Sequence, residues 1–196
     1  MSKREATITR RTAETNIELA LALDGTGTYS INTGVGFFDH MLSHVAKHGL
    51  FDLTVKAVGD LHIDAHHLAE DTGIVLGQAL AQAVGDKRGM VRFGTGMCPL
   101  DEALVVAVID FGGRAHLEYG LSLPTEKVGD FDCELALEFF RALAANAGMS
   151  LHLKQQSGAN SHHILESCFK SFGKALDEAT KMDPRKADIP STKGVL

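Results

Sequence analysis

The chain has no tryptophan, two tyrosines and three cysteines among its 196 residues. Cys98, Cys133 and Cys168 are odd in number, widely spaced and free of any C-x-x-C pair, which points away from a disulfide framework or a thiolate metal site and towards a reduced, intracellular protein. Long apolar runs are also missing. No stretch approaches the ~20 residues needed to cross a bilayer, and no basic segment followed by an apolar run opens the chain, so the expectation is a soluble, cytoplasmic protein with no membrane partner. Nor is there an excess of cations: 19 Lys and Arg against 25 Asp and Glu leave a net charge of −6, which argues against generic nucleic-acid binding. Any phosphate the protein binds should be small and locally cradled. What the chain does have is a 44% hydrophobic content, enough for one compact domain or two small fused halves, and ten histidines that need an explanation.

The histidines fall into a repeated pattern. Asp64-Ala65-His66-His67-Leu68-Ala69-Glu70 recurs 96 residues later as Asn160-Ser161-His162-His163-Ile164-Leu165-Glu166. Each copy opens an apolar-periodic segment. On a helix the first histidine and the glutamate, four apart, share a face, while the second histidine lies about 100° round and aims at a different point. One motif can therefore feed two metal ions, and imidazole with carboxylate is a standard ligand mixture.

The surroundings of the two motifs repeat as well. Glu5 to Arg10, Asn16 to Leu23 and Tyr29 to Thr33 read as three short antiparallel strands, with Asp24-Gly25 as a hairpin signal. Phe37 to His48 reads as a helix that Gly49 is placed to end, Leu53 to Val58 as a strand, and His66 to Val84 as a long helix. Gly85, Gly89, Gly94 and Gly96 mark a loop-rich crossing. Ala103 to Phe111 is then a β-branched strand, Gly112-Gly113 turns into Arg114 to Leu121, Asp132 to Ala147 is helical, Met149 to Lys154 alternates as a strand, and Ser161 to Lys181 is the second long helix. Both halves run strands, helix, strand, helix. The pattern is α+β from an internal duplication in one domain, with half-repeats at about 4–95 and 96–190 and a tail at 191–196.

If the halves superimpose, ligands should come in pairs. His40 lies 26 residues before His66, and Glu138 lies 24 before His162, each on the shorter helix of its half. With the six motif residues they make eight candidate ligands for two metals, leaving octahedral ions two open positions apiece for water or substrate. Nitrogen and oxygen donors without thiolate fit Mn(II) or Fe(II), with zinc, cobalt or nickel as competitors. His44 and His48 extend the His40 stripe. His44 reads as a polar position on an amphipathic helix, and His48 stands at the helix end. His62, His116 and His152 read as packed or surface histidines. Two functions fit such a centre on the ligands alone: a metal store, and a dinuclear hydrolase of phosphate esters.

Phe37-Phe38-Asp39-His40-Met41-Leu42, His48-Gly49, His66-His67-x-x-Glu70-Asp71, Arg92-Phe93-Gly94, Pro99-Leu100-Asp101-Glu102-Ala103, Asn160-x-His162-His163-x-x-Glu166 and Ile189-Pro190-Ser191-Thr192-Lys193-Gly194 together resemble the imidazoleglycerol-phosphate dehydratase family of histidine biosynthesis, from about Arg4 to the C-terminus. The resemblance implies a lyase with two Mn(II) per subunit that converts D-erythro-imidazoleglycerol phosphate to imidazoleacetol phosphate and water, holding the substrate imidazole as imidazolate. It implies a pseudo-symmetric subunit, each half a four-stranded, mostly antiparallel sheet with two helices packed on one face, and a homo-oligomer of 24 subunits with active sites at subunit contacts. It carries the metal role to His40, His66, His67, Glu70, Glu138, His162, His163 and Glu166. Glu14, His66 and Glu166 become the catalytic set, with Glu14 as acid/base. The substrate set is Glu14, His40, His48, His66, His67, Glu70, His162, His163 and Glu166, with Arg92, Arg114, Lys170, Ser191, Thr192 and Lys193 for the phosphate. Two departures stand out: Glu138 where members can have histidine, and Ala65 where many have a second acidic residue.

Overall fold

The computed structural model describes residues 3–196. The first half runs β1 (Glu5–Arg11), β2 (Thr15–Ala22), β3 (Tyr29–Asn32), α1 (Gly36–Gly49), β4 (Asp52–Gly59) and α2 (His66–Val84). The second runs β5 (Phe93–Leu100), β6 (Ala103–Asp110), β7 (His116–Gly120), a short ribbon of β8 (Lys127–Val128) and β9 (Phe131–Asp132), then α3 (Leu135–Ala147), β10 (Ser150–Ser157) and α4 (Ser161–Thr180). The sheets have matching orders, β1-β2-β4-β3 and β5-β6-β10-β7. In each, two pairings are antiparallel and the edge strand is parallel to its neighbour. The α+β fold with two similar halves expected from the sequence is the fold observed.

Alternation decides which face of each sheet is covered. Ile17, Leu19 and Leu21 of β2 and Leu53, Val55 and Ala57 of β4 are buried, as are Val105, Ala107 and Ile109 of β6 and Leu151 and Leu153 of β10. The long helix α2 lies on the first sheet and α4 on the second. The shorter helices cross over: α1 of the first half packs on α4 of the second, and α3 of the second half packs on α2 of the first. Phe38, Phe139, Phe140, Phe169 and Phe172 stack through the junction of α1, α3 and α4 at centroid distances of 4.8–5.6 Å.

Several local expectations need correction. The first three strands are not a meander, because β3 lies beyond β4 and parallel to it. Asp24-Gly25 is therefore no hairpin. It belongs to a loop held by Asp52, whose Oδ1 accepts from the Thr26 and Thr28 amides at 2.9 and 3.0 Å. α1 ends at Gly49 as expected, but the left-handed capping conformation falls on Leu50, at φ 59°. Gly49 itself serves close approach, since a Cβ on it would lie 3.0 Å from the Gly173 carbonyl of α4. Gly94 and Gly96 are not loop residues but lie in β5, where a Cβ would fall 1.9 Å from the Ala175 and Ser171 carbonyls. That strand runs directly against the α4 backbone, and the buried hydroxyls of Ser167 and Ser171 bond to backbone atoms of Cys98 and Val105. The helix expected from Asp132 starts at Leu135, because Asp132 is taken by the ribbon.

Candidate metal centre

The first residue of each motif fixes the start of its helix. Asn160 caps α4, its Oδ1 accepting from the His162 and His163 amides at 2.9 and 3.3 Å, and Asp64 Oδ1 accepts from the His66 amide at 2.8 Å. In both copies the two adjacent imidazoles stand almost perpendicular, at 87° and 83°, with centroids 6.0 and 6.1 Å apart. The two rings of a pair thus face different points.

Three donors meet where α1 crosses α4. His40 Nε2 and His162 Nε2 lie 3.1 and 3.2 Å from Glu166 Oε2, and the three atoms fall within 4.8 Å of one another. Ligands at right angles round an ion with bonds of about 2.1 Å stand about 3 Å apart, so this spacing suits neighbouring positions on one ion. The donor set, one carboxylate with imidazoles and no thiolate, suits a divalent first-row metal.

The electrostatics of the group favour ligation. Burial works to raise the pKa of Glu166, but the Lys170 ammonium, 2.5 Å from Oε1, together with His44 and His162, overrules it and brings the carboxyl down to about 2. His44 stands 3.2 Å from His40 Nε2 and 3.4 Å from Glu166 Oε2. Burial first, then the neighbouring cations against the opposing pull of Glu166, push its pKa down to about 4, so its ring is neutral near pH 7. His44 therefore belongs to the cluster, where its sequence position had read as an ordinary polar site; the i+4 step from His40 was the visible signal. His48 stacks on His44 at 5.5 Å, and Phe37 meets His162 edge-on at 5.1 Å.

The remaining expected ligands are held elsewhere. His163 Nδ1 lies 2.7 Å from Glu102 Oε2, and His67 Nδ1 lies 2.9 Å from Asp60 Oδ2 and 3.8 Å from Glu14 Oε2. Neither ring joins the cluster of its own chain. His66 and Glu70 sit on α2, which packs on α3 as α4 packs on α1, but Glu138 of α3 turns to Arg141, 2.6 Å away. The pairing of helices is repeated, whereas the close group of donors is not.

The cations divide between two places. Arg92, Arg114, Ser191, Thr192 and Lys193 line one hollow of about 320 Å³ under the C-terminal tail. Arg92 anchors it, donating to both Asp110 oxygens at 2.6 and 3.1 Å and to the Pro190 carbonyl at 2.8 Å. Lys170 stands apart from them, on Glu166. The Arg92 amide donates to Ala179 O near the far end of α4, 13 residues beyond Glu166, which puts the Arg92 backbone, at the edge of the hollow, about 20 Å along the helix axis from Glu166 of the donor cluster.

Comparison with known proteins agrees with the geometry. The family model for imidazoleglycerol-phosphate dehydratase matches residues 33–176. The chain is 57% identical to the imidazoleglycerol-phosphate dehydratase of Desulforamulus reducens, over all of both chains, and 58% identical to that of Dinoroseobacter shibae, over 98% of this chain and all of the other. Among solved structures, the Staphylococcus aureus enzyme superposes with a TM-score of 0.83 at 40% identity, covering 91% of this chain and 99% of its own. The Pyrococcus furiosus enzyme does so at 0.84 and 35%, covering 96% and 100%. With its fold, its duplicated ligand helices and these matches together, the chain belongs to the imidazoleglycerol-phosphate dehydratase family.

Proposed function

We propose that the chain dehydrates D-erythro-imidazoleglycerol phosphate to imidazoleacetol phosphate in histidine biosynthesis, at a centre of two Mn(II) per subunit. The observation that carries the metal-dependent reading is the His40–His162–Glu166 group, assembled across the two halves in a chain of this family. A divalent ion bound there supplies Lewis acidity, which lowers the cost of negative charge on the substrate imidazole.

The remaining work falls to the side chains. His66, His67, Glu70, Glu138 and His163 complete the ligand set. Glu14, a half-exposed carboxylate 3.8 Å from His67, is placed to take the proton from the carbon one removed from the ring and to pass a proton to the hydroxyl that departs from the ring-attached carbon. Loss of that C–H and of the C–O bond releases water and leaves an enol, which tautomerises to the ketone. Arg92 and Arg114 suit phosphate through their planar forks, Lys193 adds a point charge, and Ser191 and Thr192 add hydroxyls.

The imidazole and phosphate of this substrate are joined by three carbons, far short of the ~20 Å along the helix axis between Glu166 and the Arg92 backbone at the edge of the tail hollow of one chain. This separation supports active sites shared between subunits and, with the resemblance, assembly into 24. We take the half-repeats at about 4–95 and 96–190 as one catalytic domain and the setting as cytoplasmic. Among the described residues no helix is long and apolar enough to cross a membrane.

The test is turnover of imidazoleglycerol phosphate by metal-stripped protein with Mn(II) added back, reading ketone and inorganic phosphate together. Mn-dependent ketone with phosphate retained is the expected result. Release of phosphate would mean a hydrolase, and tight metal binding without turnover a metal store.

A further inference from the structure

The two halves solve the same problem with different carboxylates. The second histidine of each motif is held through Nδ1, which leaves Nε2 as the free nitrogen. For His163 the holder is Glu102, in the turn between β5 and β6 and directly before the first residue of β6. Its other oxygen accepts from the Ala159 and Asn160 amides at 3.1 and 3.0 Å, so one side chain fixes both the ring and the loop that delivers α4.

The counterpart of Glu102 in the first half is Glu14, directly before the first residue of β2. Glu14 does not hold its histidine, standing 3.8 Å from His67 Nδ1 with a side chain 53% exposed. Asp60, the residue after β4, takes that nitrogen with Oδ2 at 2.9 Å, and its buried Oδ1 has no hydrogen-bond partner. The second half cannot use this solution. The residue after β10 is Gly158, where a Cβ would lie 2.7 Å from Ile164 and 3.0 Å from Ala103. No carboxylate fits there.

We propose that Glu102 and Asp60 are the positioning residues of His163 and His67, and that Asp60, by relieving Glu14 of this task, frees the first-half glutamate for the substrate. Each holder accepts the Nδ1 proton, so the Nε2 lone pair faces outward for a metal, a device that orients and strengthens imidazole ligands. The proposal rests on the reading of the site as a metal centre.

Glu102→Gln tests it. Three N–H donors face the Glu102 carboxylate, and a glutamine must turn its own NH2 towards one of them. If it turns towards His163, it favours the tautomer with hydrogen on Nε2, which cannot ligate. Mn(II) affinity, read as free Mn(II) by electron paramagnetic resonance in titrations of the full-length protein, is expected to fall about 10–100-fold in E102Q and in Asp60→Asn. In Glu14→Gln it is expected to stay at the wild-type value. Thermal melts in EDTA separate a folding defect from a ligation defect: the metal-free melting temperature stays put while the rise on adding Mn(II) shrinks. Wild-type affinity in both E102Q and Glu102→Ala, the second of which leaves His163 Nδ1 no carboxylate or amide oxygen to bond, overturns the proposal alone, whereas a wild-type protein that binds no Mn(II) overturns the metal reading with it. If E102Q does not fold, D60N decides: wild-type affinity there overturns the proposal, and loss of affinity with an unchanged metal-free melt upholds it.

Discussion

Glu166 keeps its charge in a nearly closed site because Lys170 answers it from the next turn of α4. Its carboxyl is depressed to about 2, below its ordinary value, so the charge stabilises the fold above the usual carboxylate range and that contribution fades as the pH falls towards 2. Removing the ammonium moves the pKa upward, and protons then compete with metal sooner. We expect Lys170→Met to shift the acid limb of Mn(II) binding to higher pH; superimposable wild-type and variant titrations would rule this out. Glu166→Gln removes the shared donor of the cluster altogether and should lower metal content and turnover together, checked by metal analysis of the purified protein. At this scale the sequence displayed the close group of donors well. His40, His162 and Glu166 were visible as a spacing, and His44 as an i+4 step. Glu102 was not, since its link to His163 spans 61 residues and leaves no periodic trace.

The helix crossing that unites the donors depends on two glycines. A Cβ on Gly173 would stand 2.9 Å from the Val45 carbonyl, and Gly49 lies against Gly173 from the other side. Gly173→Ala must push α1 from α4 at a cost of about 1–3 kcal/mol, and the shift draws His40 away from Glu166. A lowered urea midpoint accompanied by weaker Mn(II) binding is the expected result, and unchanged metal affinity would show that the crossing does not set the ligand spacing. Elements with strong local periodicity were legible to the residue: α2 begins at His66 and ends at Val84, as its apolar pattern requires. Elements defined by distant partners were not. The place of β3 depends on β4, which follows it in the chain, and the two-residue strands of the ribbon are too short to alternate. The glycines of β5 mimic a loop because their reason is a helix some 80 residues away.

On the scale of the whole molecule, α4 acts as a spacer with the metal cluster near one end and the tail hollow near the other. If the proposed substrate uses both, it is shorter than that spacer and would take the cluster of one subunit and the cations of another. Two impaired variants, E166Q and Lys193→Ala, assayed at substrate well below the raised KM of the second, should therefore recover turnover when their subunits are dissociated and reassembled together, because some mixed sites receive an intact residue from each. Activity no higher than the sum of the two unmixed proteins would place a whole site within one chain. On its own, K193A should raise KM for the phosphate ester and leave metal content unchanged; loss of metal would show the tail to be a scaffold. The length of this spacer is not visible in the motifs, which record which residues occur but not how far apart a straight helix holds them; the expectation of sites shared between chains came from the family resemblance.

The exchange of short helices, α1 onto the second half and α3 onto the first, means that neither half encloses a donor cluster alone. A half-length polypeptide of this design would ligate metal only as a pair of molecules, at a rate and yield set by how often they meet. Joining the two in one chain replaces that encounter with a fixed effective concentration, so the cluster becomes independent of how dilute the protein is.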